Sequence, residues 1–169
     1  MKAALKNASI HALMIALFTA ATAFAMDTPK PDPKPDPKDP DKKSEQLESA
    51  RAAIARQDWT AAQALLRQAV QRDPQSADAH NLYAYSIRKG PNPAMDEVFR
   101  HYNEALRLDP RHLGAHEYIG EAYLMTGNVV KAREHLAELE KLCGAGCREY
   151  KALKLAVAAQ EQRQAQAPK

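Results

Sequence analysis

No segment of this 169-residue chain reads as a convincing β-strand, so a strand–loop–helix cradle for phosphate is excluded. No charge of one sign dominates, with 24 Lys and Arg standing against 21 Asp and Glu. A field able to recruit nucleic acid or anionic lipid is therefore missing. No apolar run reaches the roughly 20 residues that cross a bilayer as a helix. No catalytic constellation is visible either: Ser44 and Ser49 have no His and Asp pattern around them. A non-catalytic protein without a cofactor is expected. Cysteine is scarce, limited to Cys143 and Cys147.

What is present begins with an address. Lys2 and Lys6 form a basic start, Ile10 to Phe18 is mostly apolar, and Ala23-Phe24-Ala25 supplies small-x-small cleavage chemistry. These features predict a signal peptide over residues 1–25, with the mature chain starting at Met26. An uncleaved anchor is the alternative. No cysteine lies near the cleavage point for lipidation. An exported protein is expected, periplasmic if the source is Gram-negative, with no stable membrane insertion after cleavage. Loss of Lys2 and Lys6 lowers the net charge from +3 to +1.

Residues 26–43 read as a linker. Asp27 to Lys43 holds six prolines, five aspartates and five lysines, and no side chain able to join a core. Proline fixes its own φ and restricts the residue before it, so an extended, PPII-like tether is expected. At about 3.1 Å per residue it reaches on the order of 50 Å. Its bland role is a spacer, and a ligand for an aromatic-lined groove is the sharper alternative.

From Ser44 the apolar period becomes helical, predicting helices over 44–56, 59–72, 77–89, 93–108, 113–126, 129–142 and 147–164. Asp73-Pro74 and Asp109-Pro110 end the second and fourth, because a residue before proline avoids the αR region. Ser76 is a cap for the third, and Asn92 with Pro93 for the fourth. Gly127 suits the left-handed turn that closes the fifth.

The segment ALLRQAVQRDP ending at Pro74 recurs as RHYNEALRLDP ending at Pro110. A third unit, from Leu113 to Leu142, places Gly120, Tyr123, Gly127, Ala132 and Leu136 at matching offsets. Here the chain resembles the tetratricopeptide repeat family, through Trp59, Ala62, Ala69 and Pro74 in the first repeat and Ala84, Ala105 and Pro110 in the second. Departures occur at Ala50, Ala53 and Val98, and Gly144 replaces the terminal proline of the third repeat. The resemblance implies an all-α solenoid of three helix pairs, about 43–76, 77–112 and 113–144, closed by a capping helix at about 147–164. The whole helical domain spans 44–165.

The same resemblance implies a concave groove that binds a protein or peptide. On this chain its lining includes Arg51, Ile54, Asp78, Asn81, Tyr85, Arg88, Lys89, Glu117, Glu121, Leu124 and Met125. Family members that grip a C-terminal carboxylate use Lys and Asn from several repeats; Leu47 and Glu117 here speak against that mode. Glu117 and Glu121, four apart on one helix, read as a solvated or partner-facing surface rather than an acid/base pair.

In an exported chain Cys143 and Cys147 favour a structural disulfide, with two intervening glycines allowing the reversal. A redox-active pair or a two-thiolate copper site is the competing reading. The spacing is CxxxC, not CxxC, and no His or Met completes a metal set. His112 and His116 are four apart, but His80 holds the place of His116 in the previous repeat, which marks packing rather than ligation. His101 and His135 read as helix-surface residues. The functional expectation is an exported scaffold in envelope complex assembly, with a thiol-redox or copper-handling accessory as the alternative.

Overall fold

The computed structural model describes residues 40–166, and among these every regular element is a helix. The expected signal peptide and the expected tether up to Asp39 lie outside the described residues. The helices are α1 (Pro40–Ala55), α2 (Trp59–Arg72), α3 (Ala77–Lys89), α4 (Met95–Leu108), α5 (Leu113–Met125), α6 (Val129–Cys143) and α7 (Arg148–Gln166). No described helix is long and apolar enough to cross a membrane.

Consecutive helices pair as α1 with α2, α3 with α4, and α5 with α6. Each pair then leans on the next through α2 against α3 and α4 against α5. The last helix, α7, packs on both α5 and α6, as the first helix of a fourth pair would. A solenoid of three pairs plus a cap is thereby formed.

Small residues set the spacing. Ala50, Ala53, Ala62, Ala84, Ala105, Ala122 and Ala132 are buried, while Leu66, Val98, Tyr102, Ile119, Leu139 and Leu153 fill the space beside them. Gly120 marks the closest approach, because a Cβ there would stand 2.5 Å from Leu153 Cδ2 and 2.8 Å from Cδ1. No side chain larger than hydrogen fits without moving a fully buried leucine.

The termini follow their local chemistry. Asp58, Ser76 and Asn128 accept hydrogen bonds from the amides of Ala61, Ala79 and Lys131 at 3.0, 3.2 and 3.1 Å. His112 caps α5, its Nδ1 accepting from the Ala115 amide at 3.2 Å. The Asn92 and Pro93 start for α4 is corrected: the cap residue is Ala94, which offers no side-chain bond. Both residues stay in the Gly90–Pro93 turn, and Asp96 and Glu97 in the first turn of α4 complement its dipole instead. Helix α1 starts at Pro40 rather than Ser44, since proline is pre-set for a first helical position. The Gly127 expectation is met at φ +79°. Gln57, at the matching turn after α1, is held at φ 58° without glycine's freedom.

Candidate binding groove

The first helix of each pair supplies the concave face. Leu82, Tyr85, Arg51, Ile54 and Tyr118, from α1, α3 and α5, line a cleft of about 250 Å³. A second cleft of about 370 Å³ adjoins it, bounded by Ile54, Gln57, Trp59, Tyr85 and Lys89. Aromatic rings form the shared wall: Tyr85 meets Trp59 edge-on at 6.3 Å and Tyr118 at 4.6 Å between centroids. Met125 is 53% exposed and extends the apolar surface past the third repeat.

Arg88 organises the centre. It is buried, yet its Nη2 donates to Glu121 Oε2 at 2.6 Å and its Nε to the Tyr102 hydroxyl at 3.3 Å. Its guanidinium also lies 5.5 and 5.8 Å from the rings of Tyr85 and Tyr118. Burial works against the Arg88 charge, but Tyr102 and Glu121 outweigh it and hold the group above its ordinary value. Arg88 is thus a structural clamp between α3 and α5 rather than a free cation offered to a partner. Its aromatic neighbours remain half-buried and available.

At the first-repeat end, Arg51 reaches Asp78 at 3.6 Å, and His112 Nε2 donates to the same carboxylate at 3.0 Å. The His112 bond, then Arg51, holds Asp78 below the usual carboxylate range against an opposing burial effect.

At the third-repeat end, two expectations are corrected. Glu117 is not a solvated carboxylate: it is 4% exposed, and its Oε2 has no hydrogen-bond partner. The nearest cation, Arg148 of α7, stands 3.7 Å away, within ion-pair reach but outside hydrogen-bonding distance. Burial pushes the Glu117 carboxyl up to about 7, which Arg148 offsets only in part. Glu121 pairs with Arg88 instead of facing solvent alone. Asn81 is buried too, with Oδ1 unpartnered. Leu124 belongs to the core with Leu139 and Leu153 and contributes little to the open face.

The structure therefore brings Arg51, Tyr85, Arg88, Lys89, Glu117 and Glu121 onto one face, and adds Tyr118, Trp59 and Arg148, which sequence reasoning missed. Arg148 was findable by treating α7 as another first helix of the repeat. Lys89 keeps its exposed position at the rim.

The cysteines stand between α6 and α7 as an adjacent pair, with the Cα atoms of Cys143 and Cys147 5.9 Å apart. Gly144, at φ +76°, makes the reversal between them. The idea of His112 and His116 sharing a metal does not hold, because His112 caps α5 and faces Asp78 while His116 Nδ1 meets His135 Nδ1 at 3.0 Å. His101 and His135 are not surface residues. His101 is 5% exposed and His135 half-buried, each against a histidine of the preceding helix. No cluster of three or more metal-ligating side chains occurs among the described residues.

Known proteins agree with this architecture. No curated protein sequence matches the chain. The TPR2B domain of yeast Sti1, solved in complex with pHsp70, superposes with a TM-score of 0.64 at 17% identity, over 72% of this chain and 98% of that one. The Sgt2 TPR domain from Aspergillus fumigatus gives 0.64 at 18% identity, over 76% and 86%. The Yersinia enterocolitica type III secretion chaperone SycD, in complex with a peptide of the translocator YopD, gives 0.61 at 15% identity, over 73% and 92%. The tetratricopeptide repeat model itself matches residues 47–94 and 100–146, and the chain belongs to the tetratricopeptide repeat family.

Proposed function

We propose that this protein is an exported, non-catalytic scaffold that holds a segment of another protein in the groove of α1, α3 and α5. The observation that carries this reading is the run of Ile54, Trp59, Tyr85 and Tyr118 around two adjoining clefts. Most charges beside that run are already paired within the fold: Arg51 with Asp78, Arg88 with Glu121, and Arg148 with Glu117. What the groove offers a partner is therefore aromatic and aliphatic surface, with Lys89 at its rim. Such a surface suits an extended or helical segment with apolar anchors. Fold neighbours solved with pHsp70 and with a YopD peptide support a polypeptide as the occupant. Groove recognition of a lone C-terminal carboxylate is disfavoured, since Leu47 and Glu117 stand where cationic or amide donors would be needed.

Export, a periplasmic location and a role in envelope complex assembly complete the proposal. They rest on the basic, apolar and small-x-small pattern of residues 1–25 and on the paired cysteines. In this reading Cys143 and Cys147 fix the start of α7 and so hold Arg148 over Glu117. They are a staple rather than a redox centre.

Site-directed photo-crosslinking in the native cell tests the reading. A photoreactive residue at Lys89 or Met125, both exposed, is expected to trap one defined polypeptide. The same residue at Gln68 or Arg133, exposed on second helices, is expected not to. Equal trapping from both faces would remove the groove from the proposal.

A further inference from the structure

We propose that two histidine pairs, one buried and one partly buried, form an acid-sensitive lock, the first joining α3 to α4 and the second α5 to α6 while neutral, and loosening them when protonated. The device is repeated. His80 Nδ1 lies 2.8 Å from His101 Nδ1, and His116 Nδ1 lies 3.0 Å from His135 Nδ1. In each case the other nitrogen of the first ring, Nε2, meets a proline carbonyl: Pro74 at 3.2 Å and Pro110 at 3.1 Å.

The proton positions follow from these partners. A carbonyl only accepts, so Nε2 of His80 and of His116 must bear hydrogen. In the neutral ring Nδ1 is then a lone pair, and the facing Nδ1 of His101 or His135 must donate to it. Each pair thus uses one tautomer of each kind, and each ties a second helix to a first helix and to the turn before it. A proton added to a pair enters either at Nε2 of His101 or His135, which sets a charge in a desolvated site, or at Nδ1 of His80 or His116, which sets two N–H groups against each other. Either outcome works against the packed arrangement and loosens α3 from α4, or α5 from α6.

The surroundings disfavour the charge. His101 faces His80 and Tyr83 from α3, with Glu97, Arg100 and Glu104 on its own helix. Burial, then Arg100 and His80, pushes it down to about 4, opposed by Glu97 and Glu104. Glu97 Oε1 stands 3.9 Å from its Nε2, where an added proton meets a counter-charge. His135 faces His116 and Tyr123 from α5, with Lys131, Glu134 and Glu138 on its own helix. Burial and His116 likewise push it down to about 4.

The sign is fixed by linkage. Unfolded histidines take protons near 6.5, while the folded rings resist until about 4, so stability is intact above pH 6.5 and lost as pH falls toward 4. Glu117 acts in the opposite sense, because its folded carboxyl takes a proton near 7. Two histidines and one glutamate therefore give a net loss approaching one proton, or about tenfold in the unfolding equilibrium per pH unit. Removing Glu117 exposes the full effect, approaching 100-fold per unit.

Urea unfolding between pH 6.5 and 5 measures this directly. E117Q is expected to show the steep dependence, and E117Q carrying H101Q and H135Q a nearly flat one, since glutamine donates to His80 and His116 without titrating. An equal slope in both proteins would overturn the lock. Should the triple variant not fold, imidazole nitrogen NMR of the wild-type chain decides. Hydrogen on Nε2 of His80 and His116 and on Nδ1 of His101 and His135 at pH 7.5 is expected, with the rings of His101 and His135 still neutral below pH 6; the opposite tautomers, or titration of His101 and His135 near 6.5, would refute it.

Discussion

Glu117 illustrates how a single side chain can be both well placed and costly. It sits on the groove helix α5, almost fully buried, with Arg148 too distant to hydrogen-bond its Oε2. Because its folded carboxyl titrates near 7, above the unfolded value of 4.5, its favourable contribution exists below pH 4.5 and disappears as pH rises through 7. Glu117→Gln is therefore expected to be more stable than the wild type at pH 8, by on the order of 2 kcal/mol. The difference should shrink as pH falls toward 4.5. Denaturant midpoints at the two pH values check this. Arg88 presents the opposite case, since removing it strands Glu121 and the buried Tyr102 hydroxyl together. Arg88→Ala is expected to destabilise by about 3–5 kcal/mol, read by thermal or urea unfolding.

At the scale of elements, helix starts and stops were legible in the chain because each is a local event. Asp58, Ser76 and Asn128 cap where their side chains reach amides three residues on, and Pro74 and Pro110 follow the helices they terminate. The start of α4 was misread because two prolines flank Asn92, and the turn consumed both. Pairings between helices were not legible: the Arg88–Glu121 bridge depends on the rotation of α3 against α5, which no local pattern encodes. His101 and His135 were misread because Arg100 and Glu134 beside them suggest a solvated face. Their recurrence in successive repeats was the available clue. The turns give a paired test. Gly127→Ala should cost about 1 kcal/mol, as the left-handed backbone penalises a Cβ. Gln57→Gly, relieving the same conformation after α1, should be neutral or stabilising; calorimetric melts of both variants distinguish them. At the α5–α7 contact, Gly120→Ala should cost about 1–3 kcal/mol by overpacking. Combined with Leu153→Ala it should cost less than the sum of the two, because the cavity accepts the new methyl.

The described residues form a short solenoid whose last helix pair must be covered. Helix α7 closes it, burying Tyr150, Leu153 and Val157 against the third repeat, and the proposed Cys143–Cys147 bond would fix its start. With so short a loop, the proposed bond is expected to contribute about 2 kcal/mol, and its removal to act locally on α7. The groove, formed mainly by α1, α3 and α5, should keep its shape. Its aromatic wall then becomes the central claim. Once the crosslinked partner is known, the decisive measurement is the affinity of its bound segment for the wild-type protein and for Tyr85→Ala. Unchanged helical circular dichroism serves as the control for folding. Loss of an anchor shared by both clefts should weaken binding at least tenfold, about 1.4 kcal/mol. An affinity within twofold of wild type would contradict the groove as the seat of binding.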